Sequence, residues 1–266
     1  MHIQQRPKNG LRVLLVTGPT GSGKSKLLEL LEMLVDPPDP QHGKRVLWHD
    51  TSALITESKR RRTPTGKQLL ELEQEQTAGK VLTPSLVNPC IDENISWLRK
   101  ENPNLEFLWL AGSPRTADEA KHWLGMNLPM RFILATANDA EISYAIRKRM
   151  AEQGRTDDDP NIIPTKLAEY KTKILSAVNI LPKEMVLTIE RSSPLLQRMN
   201  AVVDHIAPLL PSGVHKRWKH RLDEETEHPI HRAIRVLEPW RNAVIVTAPQ
   251  SSSTITPAIL NQQAFA

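Results

Sequence analysis

The residues best suited to chemistry lie near the start of the chain. They read GPTGSGKS, Gly18 to Ser25, and match G-x-x-x-x-G-K-[ST] at every fixed position. Glycines let a backbone curl until successive N–H groups converge on phosphate oxygens, and the N-terminus of a following helix adds positive potential. Gly18, Gly21, Ser22 and Gly23 would form such a cradle, Lys24 would reach the outer phosphates, and the Ser25 hydroxyl would face Mg²⁺ directly or through water. The chemistry is triphosphate binding, with ATP and Mg²⁺ as the expected cofactors. A plain glycine turn before a helix would explain the glycines but not the pairing of Lys24 with Ser25.

A phosphate loop works only between a strand and a helix, and the flanking segments supply both. LRVLLVT, Leu11 to Thr17, is the continuous apolar run of a strand buried on both faces. SKLLELLEML carries Leu27, Leu28, Leu30, Leu31 and Leu34 in a helical stripe and ends at DPPDP, where proline cannot continue a helix. Short apolar runs at Arg45 to Trp48, Leu105 to Ala111, Arg131 to Thr136 and Met185 to Ile189 read as further strands with helical spacing between them. That alternation predicts an α/β fold of three layers, a mainly parallel five-stranded sheet with helices on both faces. Between Thr51 and Ile91 the charged segment QLLELEQEQ and the basic cluster Lys59 to Arg62, the latter read as a solvated face, mark a helical insertion. Beyond about Pro208 the order decays into HKRWKHRLDEETEH and a final SSSTITPAILNQQAFA. Residues 1–209 are therefore expected to form one domain, and 210–266 a C-terminal extension that is partly disordered.

Composition narrows the function classes. The 35 basic and 30 acidic residues are mixed along the chain, a formal charge of +5 that suits anionic ligands without demanding nucleic acid. The basic stretch Val214 to Arg221 includes Trp218 but carries no nucleic-acid-binding module. A single cysteine, Cys90, excludes an intrachain disulfide and a thiolate cluster for zinc, so a reducing, cytoplasmic setting is expected. The early apolar run Leu11 to Val16 is too short for a signal segment or a membrane span, and no membrane association is expected.

Three later segments, taken with the loop, resemble the adenylate kinase family in order and spacing across about residues 11–207. LWLAGSPRT, Leu108 to Thr116, looks like the family's strand followed by D-G-F-P-R-T, with Gly112, Pro114, Arg115 and Thr116 matching. AIRKRMAEQGRTDDDPNIIPTKLAEY, Ala145 to Tyr170, is similar to the family's short lid, with Arg149, Arg155, Asp157, Asp158 and Tyr170 matching. HDTSALITE with EQEQTAGKVLTPSLV resembles the acceptor-binding insertion, where Thr51, Leu54, Gly79, Leu86 and Val87 fit. The resemblance implies ATP-dependent phosphoryl transfer to a nucleoside monophosphate by a monomer, with an insertion at about 51–91 and a lid at about 149–166. It makes Arg115 the grip on the acceptor phosphate, with Thr51, Gly112 and Lys166 beside it. Lys24, Arg115, Arg149 and Arg155 would neutralise the transferred charge, and Asp157 and Asp158 would hold the lid arginines. Glu119, seven residues beyond Gly112, stands where the family reads the base; a carboxylate only accepts hydrogen bonds, which leaves AMP, GMP and CMP all in play.

The chain also departs from the pattern. Ala111 replaces the aspartate opening D-G-F-P-R, Ser52 replaces the glycine of the T-G turn, Thr56 stands at its arginine, Ala145 replaces the first lid-helix arginine, and Lys166 stands in for an arginine. These exchanges keep two other classes open: a nucleotide-binding protein of the same fold with weak or no turnover, and a P-loop kinase of another small metabolite.

Overall fold

The computed structural model describes residues 10–35, 45–75, 84–153, 161, 163–223 and 228–247. Five strands form one parallel sheet: β1 (Arg12–Thr17), β2 (Val46–Asp50), β3 (Phe107–Ala111), β4 (Met130–Thr136) and β5 (Val186–Glu190). Their order across the sheet is β2-β3-β1-β4-β5, with the strand carrying the phosphate loop at the centre. The α/β class expected from the alternation is the one observed, and the mainly parallel sheet is wholly parallel among the described strands.

Side chains alternate along a strand, so each face of the sheet needs its own cover. Leu14, Val16, Trp109 and Ile133 face α1 (Lys24–Glu32) and α9 (Leu195–Ile206) in one apolar layer. Val13, Leu15, Leu108 and Phe132 face α4 (Pro84–Glu101) and α5 (Ala117–Gly125) in the other. Helices pinned on both faces make the carboxyl edge of the sheet a rigid rim, and register aligns Thr17 with Leu134 and Val16 with Ala111 along it.

The insertion consists of α2 (Thr51–Arg61), α3 (Pro64–Glu75) and the start of α4. Its polar centre is the buried Asn94, whose amide donates to Ser58 Oγ at 2.7 Å and the Cys90 carbonyl at 2.7 Å while its oxygen accepts from Arg61 at 2.7 Å. The Arg61 guanidinium also lies 4.2 Å from the centre of the Trp97 ring. The basic cluster therefore divides: Arg60 pairs with Glu57 on the exposed face, as a solvated charge does, whereas Arg61 ties α2 to α4.

Past β4, α6 (Asp139–Gln153), α7 (Ile163–Glu169), a π-helical turn (Tyr170–Ile174) and α8 (Leu175–Asn179) lead towards β5. Of the segment expected to form the lid, 154–160 and 162 lie outside the described residues.

Beyond Pro208 the described residues form helices that the sequence reading did not include. The helices α10 (Val214–Asp223) and α11 (Pro229–Thr247) pack onto the layer that covers α1, burying Trp218, Leu222, Ile230 and Ile234. Trp218 meets Trp109 edge to face at 6.3 Å between ring centres. Full burial of aliphatic side chains such as Leu222 and Ile230 stabilises by about 1.5–3 kcal/mol each, so this part is no loose appendage. Val214, Trp218 and Leu222, spaced four apart, make the apolar side of the first helix, and the lysines, arginines and histidines around them hide it in any compositional reading. The terminal 248–266 lies outside the described residues. No helix among the described residues is long and apolar enough to cross a membrane.

Candidate functional site

The carboxyl edge of a parallel sheet is where ligands bind, because loops and helix N-termini converge there. Here the first such loop leaves β1 at Gly18, whose φ of 138° and close approach to β4 admit only glycine: a Cβ would lie 2.0 Å from the Ala135 carbonyl oxygen. Lys24 opens α1 and folds its Nζ back over the loop, donating to the carbonyls of Gly18 at 3.0 Å and Pro19 at 2.8 Å. Ser22 lies beneath, only 2% exposed, and its Oγ has no hydrogen-bond partner among the described residues. A buried hydroxyl left without a partner costs about 1–3 kcal/mol, and an anionic oxygen seated in the loop would relieve that cost. The loop residues thus fit a triphosphate.

The second wall is the turn after β3. Gly112 N donates to Val16 O at 2.8 Å, Thr17 Oγ1 donates to Pro114 O at 2.7 Å, and Arg115 Nε donates to Gly112 O at 2.8 Å. Below it, the Glu119 carboxylate accepts from Arg115 N at 2.8 Å and from Ser113 Oγ at 3.4 Å, and Ser113 Oγ in turn accepts from Trp123 Nε1 at 2.8 Å. Burial pushes the Glu119 carboxyl above its ordinary range, against the hydrogen bond from Arg115 N and the nearby guanidinium charge, which pull it down. Every bond in this set fixes where the exposed Arg115 guanidinium points.

Between the two walls opens a cavity of about 750 Å³, within the usual range for a small-molecule or cofactor site. Gly18, Gly21, Gly23, Lys24, Ser25, Gly112, Arg115 and Lys166 all line it, so residues from three separate segments share one cavity. Three expected residues do not: Ser22 lies buried beneath the loop, and Thr51 and Glu119 are engaged elsewhere. Thr51 is 1% exposed and its hydroxyl donates to the Ala111 carbonyl at 3.0 Å, tying the start of α2 to β3; Ser52 reaches the cavity instead. Glu119 is 3% exposed, does not line the cavity, and has its carboxylate engaged in the turn, not placed where a base would be read. Arg149 belongs to α6, but its side chain, like Arg155, Asp157 and Asp158, lies outside the described residues.

Three features escaped the sequence. Asp50 ends β2 and lines the cavity, its carboxylate oxygens 3.3 and 3.4 Å from Ser25 Oγ. Arg191 follows β5 directly, donates from its side chain to the Gly21 carbonyl, and bonds through its backbone N–H to Thr136 O at 2.8 Å. Burial lowers its pKa, opposed by the charges of Glu141 and Tyr144. Both stand at the carboxyl end of a strand, the signal that could have found them. The third is the π-helical turn, which brings Tyr170 and Ile174 to the cavity beside Lys166.

No family model matches the chain. Over 171 residues, 62% of this chain and 80% of the other, it is 28% identical to an adenylate kinase from Renibacterium salmoninarum. Among solved structures it is similar to TT1252 from Thermus thermophilus, with a TM-score of 0.47 and 20% identity over 77% of this chain and all of that one. A sugar kinase from a Janibacter species gives a TM-score of 0.45 and 14% identity over 74% of this chain and 95% of that one. The sequence match supports a distant relationship to P-loop kinases and fixes no acceptor.

Chemically, Lys24, Arg115 and Lys166 supply positive charge around one cavity, and Asp50, Glu29 and Glu169 supply negative charge at its margins. The absence of an arginine at Ala145 has a steric counterpart: a Cβ on Gly21 would come within 2.8 Å of Ala145 Cβ, so α6 packs directly on the loop.

Proposed function

We propose that the protein transfers the γ-phosphoryl group of ATP to a nucleoside monophosphate. One observation carries the proposal: the cavity that contains the phosphate loop and Lys24 also contains Arg115, delivered from a different strand by a turn that is hydrogen-bonded throughout. A planar guanidinium binds a phosphate through two parallel bonds, which a lysine cannot imitate. Lys24 and the loop amides would hold the donor phosphates, and Arg115 the acceptor phosphate. Phosphoryl transfer asks for alignment and charge neutralisation rather than covalent help, so two cationic groups facing one space suffice to organise it. Bound Mg²⁺ would supply further neutralisation of the donor's oxygens. Donor and acceptor groups belong to one chain, so a monomer is competent, and a reducing cytoplasm suits the buried thiol of Cys90.

The similarity to an adenylate kinase makes AMP the first acceptor to try. The test is ADP formation from ATP with AMP, GMP, CMP or UMP added singly. At least one monophosphate is expected to raise turnover well above ATP alone. ATP binding with no stimulation by any of the four would sink the transfer reaction and leave a nucleotide-binding protein.

A further inference from the structure

The sheet register places Asp50 opposite Ala111: they are partners at the last positions of neighbouring parallel strands. Adjacent strands lie about 4.8 Å apart, so a carboxylate on either strand addresses the same end of the sheet. In P-loop proteins the metal is held by the loop Ser or Thr and a strand-end aspartate. Ala111 cannot serve, and Asp50 stands one strand over at the same level.

Two further observations give this carboxylate a task. Asp50 is the N-cap of α2, where an aspartate ordinarily accepts from the first-turn N–H groups, yet its side chain makes no capping bond. It turns instead to the loop, reaching Ser25 Oγ through both oxygens at 3.3 and 3.4 Å. Direct O–H···O bonds cluster near 2.7–2.8 Å; the looser spacing suits a hydroxyl and a carboxylate arranged around a third group. Magnesium keeps several waters and takes one or two carboxylates plus phosphate oxygens, which matches one aspartate, one serine hydroxyl and a triphosphate.

We propose that Asp50, acting with Ser25, orders the Mg²⁺ of the bound triphosphate from the end of β2, in place of a carboxylate at the end of β3. The proposal rests on triphosphate binding by the loop, but not on the identity of the acceptor.

The test measures binding of a non-hydrolysable ATP analogue by titration calorimetry, in EDTA and in Mg²⁺, for the wild type, Asp50→Asn and Ser25→Ala. Mn²⁺ in place of Mg²⁺ lets electron paramagnetic resonance report metal uptake directly. The wild type is expected to bind more tightly with metal. Asp50→Asn is expected to lower metal affinity of the complex about 10–100-fold, with Ser25→Ala acting in the same direction; the EDTA arm checks that the loop is intact. An Asp50→Asn protein that retains the full metal enhancement overturns the proposal, as does one that loses equal affinity with and without metal. A wild type that binds the analogue equally in both conditions also overturns it while leaving triphosphate binding standing. No binding by the wild type in either condition removes the triphosphate reading itself.

Discussion

Arg115 folds back onto Gly112: its Nε donates to the Gly112 carbonyl at 2.8 Å, and a Cβ built on Gly112 would lie 3.0 Å from Nη2. With φ at +83°, Gly112 holds a conformation that L side chains rarely adopt, so glycine is required twice over, by the backbone and by the guanidinium resting on it.

Arg115→Ala is therefore expected to weaken acceptor binding much more than donor binding. A hydrogen bond to a charged group contributes about 1.5–3 kcal/mol, so the acceptor dissociation constant should rise about 10–100-fold, with the ATP value within about twofold. Gly112→Ala should reproduce the acceptor defect by displacing the guanidinium. Separate titrations of the two nucleotides decide it, and equal losses for both would take Arg115 out of the acceptor site.

Lys24→Ala should abolish triphosphate binding while leaving the fold in place. The Nζ reaches over loop carbonyls at the cavity rather than into either apolar layer. ATP affinity is expected to fall by more than about a hundredfold, equivalent to more than about 2.7 kcal/mol, with the melting temperature nearly unchanged. An unaltered ATP affinity would refute the assignment of the loop.

Glu119→Gln gives a pH signature. Burial raises the folded-state pKa of Glu119 above its ordinary 4.5, so ionisation opposes folding. Its contribution to stability is complete below the unfolded-state value and is lost as pH rises through the elevated folded value. Relative to the glutamine variant, the wild type's advantage should be full below pH 4.5 and shrink as pH rises from there through the elevated folded-state value. Urea unfolding of both proteins across that interval measures the difference. Glutamine keeps an oxygen for Arg115 N, and preference among the four monophosphates should stay as in the wild type; a shifted preference would return Glu119 to the base.

Trp218→Ala should destabilise by about 3–5 kcal/mol, the usual cost of emptying a buried aromatic site. Trp218 is 4% exposed and abuts Trp109 of β3. Denaturant unfolding checks it. A loss below about 1 kcal/mol would mark the C-terminal helices as separable from the domain.

The phosphate loop was legible in the sequence because it is local. Eight consecutive residues contain the whole cradle, and the apolar strand before it and the leucine stripe after it appear in the chain order in which they fold. The five strands were legible for the same reason, each being a short apolar run between breakers. Arg115 and Gly112 could be picked out because the turn they share is also contiguous.

What the tertiary structure alone decided are directions and neighbours. At the junction of β2 and α2, Asp50 faces the loop and Thr51 faces inward; the choice depends on how α2 packs and on the Ala111 carbonyl across the sheet, sixty residues away in sequence. Glu119 is turned under the turn rather than toward the cavity because Arg115 N and Ser113 Oγ lie there to meet it. Trp218 and Leu222 are core residues inside a charged segment, since burial follows the one face a helix presents and not the average of its composition. The sequence determined which groups exist for phosphate chemistry. Strand order and register, set by the simultaneous burial of both sheet faces, decided which of them share the cavity and placed Asp50 beside Ala111.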